Sequence, residues 1–168
     1  MIGNGEIEIF FLCLLHYNDT CKVNQQFTGG ERKVVKLNIQ TAELALREAS
    51  ESNPGAWADH SRFVAEACKN IASHCKDLSS EQAYIFGLLH DIGRYAGVSS
   101  ERHLIDGYRY CMERGWEKAA QICISHAFMI QDIATSIGVF DVSDEDYLFM
   151  KEFVANAVYD DYDHLVQL

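Results

Sequence analysis

The stretch Gly87-Leu88-Leu89-His90-Asp91-Ile92-Gly93-Arg94 decides how the rest of the chain is interpreted. Its His-Asp pair follows an apolar run, and Gly93 is expected to stop the helix shortly after the pair. Ser79 and Gln82 form a capping box that begins this helix, so the pair lies at its C-terminal end, where backbone carbonyls favour a cation. Imidazole and carboxylate groups together are ligands of divalent metals such as iron, manganese, zinc or nickel.

The composition predicts a single all-α domain. The chain has 168 residues, 48% of them hydrophobic, and one proline, Pro54. Such a length suffices for a hydrophobic core, and the apolar residues recur at helical rather than alternating spacing. About six helices are expected, over roughly 41–52, 56–76, 79–93, 101–114, 116–126 and 143–158, with a further helical stretch at 164–168.

Residues 1–36 differ from the rest, because they show no sustained hydrophobic period. We expect an accessory segment there, in the form of a strand, a peripheral apolar anchor or an unrelated extension. The main domain is expected over residues 37–168. The apolar run Ile9–Leu15 is too short to span a membrane, and Glu6 and Glu8 stand where a signal peptide would carry positive charge.

Charge and cysteine usage exclude further classes. The formal net charge is −11, which argues against nucleic-acid binding, since that requires a basic face. The six cysteines form no C-x-x-C pair, and no signal peptide is evident, so reduced thiols in a cytoplasmic protein are expected. Cys68 and Cys123 could be soft metal ligands, but packing in the core is the favoured interpretation.

Four histidines are predicted to face the interior of their helices: His60, His90, His103 and His126. One such histidine is more often a hydrogen-bonded core residue than a ligand. Four of them with Asp91 favour a metal site, because burying imidazoles and a carboxylate without a cation costs several kcal/mol. The predicted inward face of the second helix consists of His60, Phe63, Val64, Ala67, Ile71 and Cys75. The remaining histidines are expected at the surface or in the accessory segment: His16, His74 and His164.

Two residues near this set have alternative interpretations. Arg94 could neutralise a phosphate oxygen, or serve only as a cationic partner of the helix C-terminus. Gly107 is unfavourable inside a helix by roughly 1 kcal/mol relative to alanine, which is tolerable if a metal or substrate needs the room.

Several local strings resemble the HD-domain superfamily of metal-dependent phosphohydrolases, in particular a bacterial HDIG-type subgroup. The resemblance covers roughly residues 37–168 and rests most strongly on the His-Asp helix end. The strings are Asn53-Pro54-Gly55-Ala56-Trp57-Ala58-Asp59-His60-Ser61, Gly87 to Arg94, His103-Leu104-Ile105-Asp106-Gly107-Tyr108 and Ile122-Cys123-Ile124-Ser125-His126.

The resemblance implies an HD-type helical bundle with one or two divalent ions, which could be Fe, Mn, Ni, Zn or Mg. Its ligands would be His60, His90, Asp91, His103 and His126, with Asp91 bridging two metals. The implied activity is hydrolysis of a small phosphoester or phosphoanhydride, such as a nucleotide, by metal-activated water. Asp91 and Arg94 would be the catalytic residues, and Arg94 would also bind the substrate.

The end of the chain departs from this pattern, since the superfamily closes its site with a late aspartate. Proteins similar to this one continue past Leu168 into a Cys-Asp pair, so the C-terminal part of the domain is expected to be missing. Asp160, Asp161 and Asp163 are expected to form a solvated acidic turn. Uncovered apolar surface there would favour a homodimer. The alternative function is an inert helical module for ligand binding or regulation, with an incomplete metal site.

Overall fold

The computed structural model describes residues 35–167, which contain seven α-helices, two 3-10 helices and no β-strand. The predicted all-α class is therefore confirmed. The α-helices are α1 (Ile39–Ser52), α2 (Trp57–Ala72), α3 (Ser80–Leu89), α4 (Arg102–Met112), α5 (Glu117–Ser125), α6 (Asp144–Asn156) and α7 (Asp161–Val166). The 3-10 helices are Ile92–Ala96 and Ile133–Thr135.

Side-chain caps set the start of several helices, as expected for residues that satisfy free backbone N–H groups. Ser79 accepts a hydrogen bond from the Gln82 amide at 3.3 Å, which fixes the start of α3. Ser143 accepts one from the Asp146 amide at 3.1 Å and starts α6. Ser79 is thus the predicted N-cap, but the capping box is not completed, because the Ser79 amide donates to the Tyr162 hydroxyl at 2.8 Å rather than to Gln82.

Helix α3 lies at the centre of the bundle and packs closely against α2. A Cβ atom at Gly87 would lie 2.5 Å from the Cα of Ala65, so only glycine allows this approach. The predicted inward face of α2 is wrong: Phe63 is 75% exposed and Ile71 and Cys75 are exposed. Small side chains form the buried face instead: Ala58, Ser61, Ala65, Cys68 and Ala72.

The α3 helix ends earlier than predicted, and Gly93 is not its stop. The last residue of α3 is Leu89, and Gly93 lies inside the following 3-10 helix. Its role is a close approach, because a Cβ atom there would meet the carbonyl oxygen of His103 at 1.9 Å and the amide of Gly107 at 2.3 Å. Gly107 in turn faces Cys123, so protein atoms rather than a metal or substrate fill the room it leaves.

Replacing Gly93 with alanine is expected to destabilise the domain by about 3 kcal/mol or more, because the new Cβ would overlap backbone atoms that cannot rotate away. Urea denaturation would measure the loss. Gly138→Ala is the matched control, since the atoms nearest to its Cβ would all belong to the Glu101 side chain, which can move. Equal and small losses in both variants would contradict this account of Gly93.

The acidic segment near the end of the described chain is a capped helix rather than a solvated turn. Asp160 accepts a hydrogen bond from the Tyr162 amide at 2.9 Å and starts α7. Asp163 has no exposed surface, because its carboxylate points at α5. The expectation of a solvated acidic turn is therefore wrong for Asp163, whereas Asp161 is exposed.

The expected N-terminal segment covers residues 1–36, of which 1–34 lie outside the described residues. Within 35–167, no helix combines the length and apolar character that crossing a bilayer requires. Among the cysteines of this range, Cys68, Cys111 and Cys123 are buried and Cys75 is exposed.

Candidate metal centre

Helix α3 carries the central pair of the site. His90 is the C-cap of α3, and Asp91 immediately precedes the 3-10 helix Ile92–Ala96. Both side chains are buried, at 3% and 4% exposure. Helix α3 ends here, and the chain turns. The Asp91 carbonyl accepts a hydrogen bond from the Arg94 amide at 3.0 Å, which belongs to the following 3-10 helix. The His-Asp pair thus stands at a helix end deep in the bundle.

The other three histidines come from three different helices and meet this pair. His60 on α2 is exposed as a residue, yet its Nε2 lies 3.3 Å from Nε2 of His90. His103, in the first turn of α4, places Nε2 3.1 Å from Oδ1 of Asp91. His126, the C-cap of α5, places Nε2 3.6 Å from the same oxygen. The structure therefore brings all five predicted ligands together.

Backbone carbonyls orient three of the imidazoles. Nδ1 of His90 lies 2.7 Å from the Gly87 carbonyl, Nδ1 of His103 lies 2.5 Å from the Ser100 carbonyl, and Nδ1 of His126 lies 3.1 Å from the Ile122 carbonyl. Since a carbonyl can only accept, each Nδ1 carries the proton, and Nε2 of a neutral ring keeps its lone pair. This is the arrangement that metal-binding histidines adopt.

The sequence motifs alone do not predict which backbone carbonyls orient the imidazoles. The one sequence feature that indicates these hydrogen bonds is the helical spacing between each histidine and the residue whose carbonyl it contacts. Each histidine follows its anchoring residue by three or four positions, which places the carbonyl one turn below the ring.

Burial disfavours the charged form of two of the imidazoles, those of His90 and His126. Burial lowers the pKa of His90 and lowers the pKa of His126 to about 3. Burial opposes ionisation of Asp91, but interactions with His103, His90 and His126 hold its pKa well below its usual range. The site therefore combines one ionised carboxylate with imidazole nitrogens, which is a ligand set for a divalent cation.

The hydrogen bonding of Asp91 Oδ1 indicates whether these residues fit a metal ion. This oxygen is buried and accepts no hydrogen bond. It faces the Nε2 atoms of His103 and His126, which repel it if they are unprotonated. A buried carboxylate oxygen without a donor is costly, and a cation between it and the two rings would remove that cost.

The donor atoms form two overlapping groups that share Asp91. One group consists of His60, His90 and Asp91, and the other of Asp91, His103 and His126. Within each group the donor atoms lie within 4.8 Å of one another. Each group could hold one divalent ion, and a carboxylate common to both could bridge two ions.

Arg94 contacts the carboxylate rather than free carbonyls of a helix end. Its Nε donates to Oδ2 of Asp91 at 2.8 Å, and its Nη2 lies 3.4 Å from Nε2 of His103. Its side chain is 30% exposed, so the guanidinium links the buried carboxylate to the surface. The structure thus places a cation at the edge of the cluster.

Asp163 belongs to neither donor group, although an aspartate near the end of the chain is the kind of residue that the resemblance requires. Its Oδ1 accepts from Ser125 Oγ at 2.6 Å, and its Oδ2 lies 2.5 Å from Nζ of Lys118. Gln121 donates to both oxygens. The carboxylate is fully engaged by α5, so its role is to hold α7 in place.

Comparison with known families agrees with a domain of this kind. Residues 33–115 are similar to the HDOD domain. That domain is related to the HD domain, and the matched segment contains His60, His90, Asp91 and His103 but ends before His126. No curated protein matches the chain. No solved structure matches it either. Residues 33–115 are thus similar to an HD-related helical module.

Proposed function

We propose that this HD-related domain is a metal-dependent phosphohydrolase that acts on a small phosphoester or phosphoanhydride, such as a nucleotide. The observation that carries the proposal is the orientation of the donor atoms. Three rings donate through Nδ1 to backbone carbonyls, and their Nε2 atoms converge on a carboxylate with an unpaired oxygen. A cluster serving only stability would be expected to satisfy that oxygen.

The residues have separable roles in this proposal. Divalent cations held in such a set supply Lewis-acid activation of water and of a phosphoryl oxygen. His60 and His90 would hold one ion, His103 and His126 the other, and Asp91 would contact both. The Gly87, Ser100 and Ile122 carbonyls keep three of the rings aimed at the site before any ligand arrives.

Arg94 would bind the phosphate. Its guanidinium is partly exposed while its Nε contacts Asp91, so unused N–H groups remain at the entrance of the site. A guanidinium can donate two parallel hydrogen bonds to phosphate oxygens. The net charge of −11 makes such a local cation necessary for a phosphorylated substrate.

A second candidate function is an inert HD-related module for ligand binding or regulation. The same Arg94 contact favours it, because a guanidinium 2.8 Å from Asp91 already neutralises the carboxylate without a metal. The similarity to the HDOD domain is compatible with either function. The two candidates differ in metal content and in the effect of removing Arg94.

The protein is expected to contain up to two divalent ions per chain, and His126→Gln is expected to lower metal affinity at least about tenfold. The physical reason is that His126 offers a neutral nitrogen already oriented by the Ile122 carbonyl. Elemental analysis after dialysis against Mn²⁺, Fe²⁺ or Zn²⁺ measures the stoichiometry. Hydrolysis of bis(p-nitrophenyl) phosphate measures activity in the same samples.

His74→Gln is the matched control, because His74 is exposed and bonds only to its own helix end. Arg94→Gln separates the two candidates. If the domain is a phosphohydrolase, this variant keeps its metal and loses activity. If Arg94 replaces a metal, the wild type holds no ion and the variant becomes less stable or acquires metal affinity, which would overturn the proposal.

A further inference from the structure

A cleft of about 220 Å³ opens beside the metal centre, and Arg94 belongs to both. One wall is the turn between α1 and α2, and the other is the loop that follows the 3-10 helix Ile92–Ala96. The lining residues are Asn53, Pro54, Gly55, Trp57, Arg94, Gly97, Val98 and Ser99. None of the donor groups of the metal centre occupies this space, so the proposed chemistry leaves it without a role.

Hydrogen bonds fix the first wall relative to Arg94. Asn53 Nδ2 donates to the Arg94 carbonyl at 2.7 Å, and Trp57 Nε1 donates to the Asn53 carbonyl at 2.9 Å. The indole Cδ1 lies only 3.0 Å from where a Cβ of Gly55 would stand, so glycine lets the ring rest against the turn. The cleft is therefore preformed, with its indole N–H already satisfied.

The opposite wall exposes an apolar side chain. Val98 is 96% exposed, although it stands at the rim of a cleft that contains Trp57 and Pro54. Gly97, at φ 125°, gives the loop a backbone conformation that other residues rarely adopt, and so presents Val98 on this side. Apolar and aromatic walls with one cation are typical of small-molecule sites.

The geometry points to this cleft as the subsite for the nucleobase of a nucleotide substrate, an inference that rests on the proposed phosphohydrolase function. A phosphate bound by Arg94 would place the remainder of the molecule in the adjoining cleft. The volume is below the roughly 300–1,000 Å³ of complete ligand pockets, so it suits one flat ring system rather than a whole dinucleotide. Stacking on an indole is tolerant of base identity.

The inference is tested by binding of unhydrolysable phosphonate analogues of AMP, GMP and UMP, with the base-free ribose 5-phosphonate as the reference ligand. Calorimetry on the metal-loaded protein is expected to show at least one nucleoside phosphonate binding about tenfold more tightly than the reference. Trp57→Ala should remove this difference between the nucleoside phosphonate and the base-free ligand. Trp57→Phe should retain most of it, because an aromatic face remains.

Val98→Ser is a second test. Unlike Trp57, the Val98 side chain makes no hydrogen bond that the substitution would remove. It should lower the affinity for the nucleoside phosphonate several-fold, whereas Ile137→Ser, an equally exposed apolar residue in another loop, should not. Equal binding of all ligands, no detectable binding of any nucleoside phosphonate, or equal losses for both ligands in Trp57→Ala would overturn the inference.

Metal content is measured on the same samples. Base-dependent binding by a protein that takes up no metal would overturn the phosphohydrolase proposal and leave the cleft assignment standing.

Discussion

Replacing Asp91 with asparagine is expected to abolish binding of both metal ions and to lower phosphohydrolase activity at least about a hundredfold. Asp91 is the one residue common to the two donor groups, so its loss affects both at once, whereas His60→Gln or His126→Gln affects one. Asp91 is also the only carboxylate in either group, so its loss removes the negative charge that attracts both cations, and about a hundredfold is a lower bound on the activity lost. Elemental analysis and hydrolysis of bis(p-nitrophenyl) phosphate measure the two losses.

The metal-free Asp91→Asn protein is expected to remain folded, which separates a lost site from a lost structure. An asparagine N–H can donate to Nε2 of His126, where the carboxylate oxygen has no partner. Metal at a hundred times its Kd should stabilise the wild type by about 2.7 kcal/mol and leave the variant unchanged. Asp59→Asn, an exposed change beside His60, is the matched control. A thermal shift with metal that survives in Asp91→Asn would refute the shared-ligand assignment.

The central part of the site could be predicted from the sequence because it depends on local spacing. His90 and Asp91 are adjacent, and the Ser79 cap places them at the end of a helix. His103 follows in the first turn of the next helix, and His126 ends the helix after that. Each relation needs only helical periodicity and caps, which a single sequence contains.

The orientation of α2 could not be predicted in the same way. Hydrophobic periodicity selects the face with Phe63 and Ile71, because large apolar residues normally face the core. The structure buries the face with Ala65 instead, since α3 approaches α2 so closely at Gly87 that large side chains would not fit. The small residues on the two helices determine the face, and their pairing depends on contacts distant in sequence.

His60 still reaches the site although the buried face of α2 differs from the predicted one. The residue is exposed because it stands off the buried face of α2, yet its Nε2 reaches His90 near the start of the helix. The structure therefore places His60 beside the His-Asp pair, although the stripe that supported its prediction is wrong. Its role as a ligand stays a prediction.

The burial of Asp163 is a second feature that the sequence did not reveal. Its partners Lys118, Gln121 and Ser125 lie about forty positions earlier, and in an acidic run nothing distinguishes it from Asp161. Only the docking of α7 onto α5 identifies the buried carboxylate. Ser125 immediately precedes His126, so this contact also supports the helix end that presents a proposed ligand.

Replacing Asp163 with asparagine is expected to destabilise the domain by about 2 kcal/mol at neutral pH, because an amide cannot accept all the hydrogen bonds that the buried carboxylate accepts and so leaves a buried donor unpaired. Lys118 keeps its contact with Asp160 Oδ1 at 2.8 Å. The carboxylate has no exposed surface and accepts from Lys118, Gln121, Ser125 and the Asp160 amide. Urea denaturation measures the loss. Asp161→Asn, two residues earlier and exposed, should cost no more than about 1 kcal/mol, the value of a charge at a helix N-terminus.

The same contacts should make the stability of the wild type depend on pH in acid, whereas Asp163→Asn has no carboxyl there to titrate. Burial opposes ionisation of Asp163, but the hydrogen bonds from Lys118, Ser125, the Asp160 amide and Gln121 outweigh it and lower its pKa. A carboxyl whose folded pKa lies below its unfolded value of about 3.9 stabilises the fold above that pH, and the contribution is lost as pH falls toward the folded pKa. The stability difference between wild type and Asp163→Asn should therefore be constant near neutrality and shrink below about pH 4. A difference that stays constant down to pH 3 would show that the pKa of Asp163 is not lowered in the fold. An Asp163→Asn protein as stable as Asp161→Asn would show that α7 is held by its apolar contacts alone.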